Sequence, residues 1–340
     1  MTEASYSTAE LHSRRRLLKR IAAAAGAGGL LASAAALLHR AAPLAGVFAA
    51  KPSPAQSPLS FAAARSESAA DCAIAHGQNA ESMVRAAMKA LGGIETFIRK
   101  GDRVLIKVNA AFDRPASFGA TTAPDMLRAF ILLCAEAGAA EIRIADNPIN
   151  RPEACFLKTG LRAEVENLAA RIPVRIMPPE ARHFARIAIG GRAIGEWEAF
   201  AGALAGIDKA IGLAPLKDHN LAGASMAMKN WYGLLGGPRN LLHQNIHQTV
   251  ADLAEWIRPT FVALDARRIL VRNGPTGGGL ADLAPGDALL VGADQVAIDA
   301  RAAETLLRRD LDSIEYIREA SRRGLGQADW RQARWAEAQA

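Results

Sequence analysis

Short apolar runs at residues 102–108, 141–145, 174–177, 207–213, 261–264 and 288–291 recur along the chain, separated by longer segments with helical spacing. Runs of this length, bounded by Gly, Pro, Asn and Asp, read as buried strands. Strands that alternate with helices use the helices as crossovers, so the pattern predicts an α/β fold with a largely parallel sheet flanked by helices. At residues 79–91, Met83, Val84, Ala87 and Met88 share one helical face, and Gly92 and Gly93 end it. Residues 123–137 form a second such helix, closed by Gly138. Residues 187–194 turn at Gly190 and Gly191 and predict a small β-hairpin insertion. With 340 residues and 50% hydrophobic content, the chain can bury a substantial core.

Positive charge gathers at the N-terminus. Residues 1–49 hold six basic residues against Glu3 and Glu10, so the rest of the chain keeps only +3 of the formal +7. That remainder shows no interleaved basic and aromatic stripe, so no nucleic-acid partner is expected. Residues 13–19 read SRRRLLK and precede an uncharged, alanine-rich run at 21–38. This layout predicts a twin-arginine signal peptide over residues 1–50, with Leu17 where the usual pattern has phenylalanine. The run is weakly hydrophobic, so no stable membrane span is expected unless the signal stays uncleaved. The implied partner is the twin-arginine export machinery and the implied location periplasmic, reached in the folded state. Residues 51–65 read as a Pro and Ser rich linker, 66–307 as the α/β domain and 308–340 as a C-terminal helical segment. Cys72, Cys134 and Cys155 contain no C-x-x-C pair, so an iron–sulfur cluster is not expected.

Chemistry concentrates at residues 211–247, IGLAPLKDHNLAGASMAMKNWYGLLGGPRNLLHQNIH. The strand at 207–213 runs into Pro215, which predicts that the polar cluster begins where the strand ends. In open α/β sheets, ligands bind beyond the carboxyl ends of the strands. Lys217, Asp218 and His219 follow at once, and the small residues from Ala222 to Ala227 suit close backbone approach to a ligand or a helix. Lys229 sits among Met226, Met228, Trp231 and Tyr232, company that would lower its pKa and make it a base or covalent anchor. His243 and His247 are four apart, so a helix over 242–257 would put them on one face, as a cation pair or as surface. Asn109, Asp113, Asp146, Asn147, Asp265 and Asp294 also fall at strand ends, where turn and cap roles compete with a crevice. NGPTGGG at 273–279 offers amides, including those of Gly277 and Gly278, that could cradle an anion.

Several motifs occur together in order: VLIKVN at 104–109, the loop at 121–124, IADNP at 144–148, LKDH at 216–219 and AMKNWYGLLGG at 227–237. His243, ALDA at 263–266, GPTGGG at 274–279 and GADQVAIDA at 292–300 follow. With them the chain resembles the domain-of-unknown-function family 362. Some members of that family carry ferredoxin-type cluster motifs, and this chain lacks those cysteines. A fainter similarity is to the nickel-pincer lactate racemases, where a histidine, a lysine ten residues on and a later histidine surround a covalently held nickel cofactor. His219 and Lys229 are ten apart here, and His243 or His247 follows. The similarity implies Lys229 as the attachment point, His219 as a proton-transferring base, and His243 or His247 as a metal ligand. It also sets Asn109 and Asp113 near the substrate. Only Arg114 remains of the arginine-rich substrate signature, and no histidine follows Ala145 as a second proton carrier, so two-base racemisation is not expected.

The combined expectation is an exported, metal-binding enzyme of isomerase or oxidoreductase type. It would use nickel, another transition metal or a tethered cofactor on a small anionic substrate. His219, Lys217 and Asp218 are the candidate catalytic residues. Lys229, Asn230, Asn109, Gly277 and Gly278 are the candidate cofactor contacts, and His243 and His247 the candidate metal ligands. Two other readings stay open: a non-catalytic extracytoplasmic anion-binding protein, and a maturation or scaffold partner whose Trp231 and Tyr232 face another protein.

Overall fold

A computed structural model of the chain describes residues 58–64 and 69–340. The expected signal at 1–50 and much of the expected linker lie outside the described residues. The strands are β1 (Leu59–Ser60), β2 (Cys72–His76), β3 (Arg103–Lys107), β4 (Glu141–Ala145), β5 (Val174–Ile176), β6 (Ala185–Gly190) and β7 (Gly195–Ala199). Then come β8 (Lys209–His219), β9 (Gly223–Ser225), β10 (Ile257–Arg258), β11 (Phe261–Leu270), β12 (Leu283–Gly292) and β13 (Trp335–Gln339). The main sheet has the order β13-β2-β12-β11-β8-β3-β4-β5, with β9 added on β8. The five strands from β11 to β5 are parallel to one another, while β12 runs antiparallel to both β11 and β2. The predicted α/β class with a largely parallel sheet holds.

Period-two alternation sends the central strands' side chains into two cores. Ile106, Ile211, Leu213 and Phe261 pack on one face with the helices Ala80–Ala90, Pro124–Glu136 and Leu161–Ala169. Leu105, Ala214, Leu216 and Leu264 pack on the other with Ile246–Trp256, Gln295–Arg301 and Glu315–Arg322. The first helix starts where Asn79 Oδ1 accepts the Ser82 amide at 3.0 Å, a cap that also sets its direction.

Four sequence expectations change. β8 runs through Pro215 to His219, so Lys217, Asp218 and His219 lie within the strand rather than after it. Pairing with β3 stops at Gly212, and the Leu213 carbonyl on that side is met by Thr122 and Asn230 side chains, so no ladder bond is needed from Pro215. Leu59 and Ser60, expected in the linker, pair in parallel with Ile257 and Arg258. Residues 308–340 hold the helix Glu315–Arg322 and then β13, which pairs in parallel with β2. The helix expected over 242–257 is a 3-10 turn at Arg239–Asn245 followed by the α-helix Ile246–Trp256, with a break at Asn245 (φ −127°, ψ 47°).

The predicted hairpin is real and separate from the main sheet: β6 pairs with β7. Its turn rests on Asp252 of the helix Ile246–Trp256, which accepts the amides of Arg192, Ala193 and Ile194 at 2.9, 2.7 and 3.0 Å. Gly191 is required there, since its φ is +80° and a Cβ would fall 2.1 Å from the Asp252 carboxyl carbon. Arg323 closes the arrangement at 2.6 Å. Asp252→Ala strips a buried acceptor from three amides and a buried arginine. We expect a loss of about 3–5 kcal/mol, read as a lowered urea midpoint.

Candidate functional site

Lys107 is the last residue of β3, in a run otherwise apolar, and its ammonium is only 1% exposed. A charge that deep needs a partner, and Asp146, one residue beyond β4, supplies it at 2.8 Å. Asp146 Oδ1 makes the ion pair, while Oδ2 accepts the Ala110 amide at 2.6 Å. Burial lowers the Lys107 pKa, and Asp146 opposes that shift. Gly233 passes so close that a Cβ would lie 1.9 Å from Asp146 Oδ1, so no larger residue fits beside the pair.

Asn230 ties this pair to β8. Its Oδ1 accepts from Lys107 Nζ at 3.2 Å and from Asn109 Nδ2 at 3.3 Å, and its Nδ2 donates to the carbonyls of Lys107 and Leu213. The amide of Asn230 is thus spent inside the fold. The short helix Ala227–Asn230 that carries it is itself capped from a distance. Asp299 accepts the Ala227 and Met228 amides at 2.8 and 3.0 Å.

Above this base lies a cleft of about 530 Å³. Because side chains alternate along a strand, Lys217 and His219 of β8 enter it together with Ser225, which pairs with Lys217 from β9. Asp218 points the other way, where it binds the Gly274 amide at 3.0 Å and Arg309 at 2.9 Å. The expected catalytic role of Asp218 is therefore corrected, since the strand's period separates it from its neighbours. Lys217 Nζ donates to Asn109 Oδ1 at 3.3 Å and to the Ala120 carbonyl, and sits 5.2 Å from the Phe112 ring centroid. Burial, with Lys229 and Lys107 nearby, lowers its pKa to about 7.

The two cleft histidines hold complementary tautomers. His219 Nδ1 accepts the Leu221 and Ala222 amides, both at 3.2 Å, which leaves the proton on Nε2. Burial, then the charges of Lys229 and Lys217, push its pKa down to about 2. The Tyr232 hydroxyl donates to the Arg239 carbonyl, so His243 Nδ1–H faces the Asn240 carbonyl at 3.2 Å and the Tyr232 oxygen at 3.1 Å. His243 Nε2 then keeps a free lone pair. The two rings are 6.4 Å apart and 17° from parallel.

Lys229 completes the wall. Among the described residues no carboxylate or hydrogen-bond acceptor meets its ammonium, which lies 5.1 Å from the Tyr232 ring centroid. Burial and the positive charge of Arg239 lower its pKa to about 8. Arg239 itself donates to the carbonyls of Tyr232, Leu235 and Pro148. Among the described residues, Asp146 is the one acidic residue on the cleft wall, Lys107 neutralises it, and the charges of Lys217, Lys229 and Arg239 meet no carboxylate.

Three further expectations fail on geometry. His247 lies off the cleft against Tyr316, 6.3 Å between ring centroids, because the break at Asn245 turns it away from His243. Gly277 and Gly278 cradle no external anion. The Gly278 and Gly279 amides already bind Asp282 at 2.7 and 3.1 Å and hold its carboxyl below the usual range, and the Gly277 amide binds the Asn273 carbonyl. Trp231 and Tyr232 do not face a partner. Trp231 is fully buried, with its indole N–H on Gln295, and Tyr232 is buried beside His243. Among the described residues, no three His, Cys, Asp or Glu side chains come together as a cation cage, and the three cysteines are buried thiols.

Sequence reasoning gave no site role to Lys107 or Arg239, and set Tyr232 against a partner rather than in the cleft. The signal for Lys107 was a lone charge inside a doubly buried strand, which demands a counter-charge. Lys107→Met should cost about 3–5 kcal/mol by stranding Asp146. Adding Asp146→Asn should recover part of the loss, because the amide oxygen still accepts from Ala110; urea unfolding of the unaltered chain and the two variants checks this. His219 yields a pH test. Its folded pKa, about 2, lies below the unfolded value, so the unfolded chain binds more protons in between. Its contribution is full above about pH 6.5 and is lost as pH falls toward the folded value. In His219→Asn, whose Oδ1 can still accept both amides, the fall in stability from about pH 6 to 4 should flatten by up to about 1.4 kcal/mol per pH unit.

The model of the family described as Domain of unknown function (DUF362) matches residues 104–304. No curated protein matches the chain. Among solved structures, the lactate racemase apoprotein from Thermoanaerobacterium thermosaccharolyticum is 15% identical with a TM-score of 0.38, covering 65% of this chain and 54% of its own. The chain thus spans about half the length of that structure. A likeness of this size carries no argument about the site.

Proposed function

The chain belongs to the DUF362 family, and we propose that its cleft binds a small organic anion and is the active site of an enzyme that works on it. One observation carries the reading: Lys217, Lys229 and Arg239 line one cleft with no carboxylate among the described residues to neutralise them. Cations held in a partly desolvated pocket attract an anion far more strongly than surface lysines do. Lys217 and Arg239 are fixed by carbonyls and suit binding. Lys229, His219 and His243 are the groups left for chemistry: an amine, an N–H donor and a free ring nitrogen.

The spacing of His219, Lys229 and His243, which resembles that of the nickel-pincer enzymes, supports a tethered cofactor as the finer form of this reading. A metal ion held by side chains alone does not fit, since no cage of three donors forms among the described residues. A group attached at Lys229, with His243 Nε2 as its one protein nitrogen, fits the residues present. Such a group would supply an electron sink that side chains lack, consistent with isomerase or oxidoreductase chemistry. Export of the folded protein by the twin-arginine route is proposed from SRRRLLK at 13–19 alone.

The first test is thermal stabilisation by acetate, oxalate and phosphate. Binding should weaken about 10- to 100-fold in Lys217→Ala, the value of a charged hydrogen bond, and weaken further with salt. Stabilisation that is absent, or unchanged in Lys217→Ala, would sink the reading. Elemental analysis with intact mass, beside Lys229→Ala, reads the cofactor. A near-stoichiometric metal, or an added mass lost in Lys229→Ala, supports it, and a bare chain counts against it. Replacing Arg14 and Arg15 by Lys should retain the protein in the cytoplasm.

A further inference from the structure

The four cations of the cleft differ in what their nitrogens already do. Lys107 is spent on Asp146, the Val108 carbonyl and Asn230. Lys217 is held in place by Ala120 and Asn109 with one N–H left over, and Arg239 by three carbonyls with two N–H left over. Lys229 has a nitrogen on the cleft wall and no acceptor among the described residues; only the Tyr232 ring faces it. A lysine that were there to bind an anion alone would gain from a fixed geometry, as Lys217 has. One left unbonded beside fixed cations is arranged to react.

We propose that Lys229 forms an imine with a small carbonyl compound that carries an anionic group, of which a 2-oxo carboxylate is the smallest. The inference rests on the anion-binding reading of the same cleft and takes the place of a group tethered at Lys229. Lys217 and Arg239 take the carboxylate, and the carbonyl carbon meets Lys229. The Nζ lone pair adds to that carbon, the amine's two protons end on the former carbonyl oxygen, and that oxygen leaves as water while C=N replaces C=O. No oxidant or reductant is needed. His219 Nε2–H is the donor available to the carbonyl oxygen, and His243 Nε2 is the base available to carry a proton from nitrogen to oxygen. The depressed pKa of Lys229, near 8, supplies free amine at neutral pH.

The test incubates the purified full chain with pyruvate or glyoxylate and sodium cyanoborohydride, followed by intact mass and peptide mapping. One reduced adduct should form on Lys229 at least about tenfold faster than on any other lysine, with a rate that rises through about pH 8. Lys229→Arg should lose it. Lys217→Ala should slow labelling by pyruvate more than labelling by the neutral acetaldehyde. Adducts spread over surface lysines, equal slowing of pyruvate and acetaldehyde labelling in Lys217→Ala, or a Lys229 already blocked by a group that borohydride does not reduce would each overturn the proposal. Oxalate stabilisation without an adduct would overturn the imine and leave anion binding standing; neither signal would overturn both.

Discussion

Lys107 and Asp146 meet at the ends of two adjacent parallel strands, in a place almost closed to water. Neither charge could stay there alone, because removing an ion from water costs more than any neighbouring dipole returns. Their attraction therefore fixes how β3 and β4 end. Asn230 extends the constraint to the middle of β8 and to the helix that precedes Trp231, so two strand ends, one strand interior and one turn share one polar knot. The backbone of Gly233 approaches the same knot at a distance only glycine permits. The floor of the cleft is thus rigid for an electrostatic reason.

Upon that floor the charges do not balance. Among the described residues the cleft's single acidic group belongs to the knot, and the remaining cations face one space. Like charges gathered in a partly desolvated cleft depress one another's pKa. Lys217 and Lys229 both fall toward neutrality, with burial as the leading cause. A site of this kind is costly to keep without a ligand, which is the physical ground for expecting an anion in it. The hydrogen bonds of His219 and His243 add a direction: one ring offers a proton, the other a lone pair.

Much of the architecture was legible in residue order. The helices from Asn79 and Ala123, the strands at 104–107 and 141–145 and the hairpin at Gly190 and Gly191 all declare themselves by period and punctuation. β13 did not, because WAEAQ carries too little apolar alternation and its pairing with β2 depends on residues more than 250 positions away. Pro215 misled, because a proline forbids a ladder bond only where a neighbouring strand asks for one. The site was half legible. Lys217, His219, Lys229, Asn109, Asn230 and His243 do line one cleft, while Asp218, His247, Gly277 and Gly278 do not.

By itself the sequence determined the layering and the neighbourhood of the chemistry, since apolar periodicity decides which segments cross the core and strand ends decide where polar groups can surface. Only the tertiary structure decided which polar groups share a space and which are already satisfied. Asp218 is taken by Arg309 and the Gly274 amide, the glycine-loop amides by Asp282, and Lys107 by Asp146. Partners so far apart in the chain leave no trace in local spacing. Whether a charge is a tool or a tie depends on its partner, and the fold alone assigns partners.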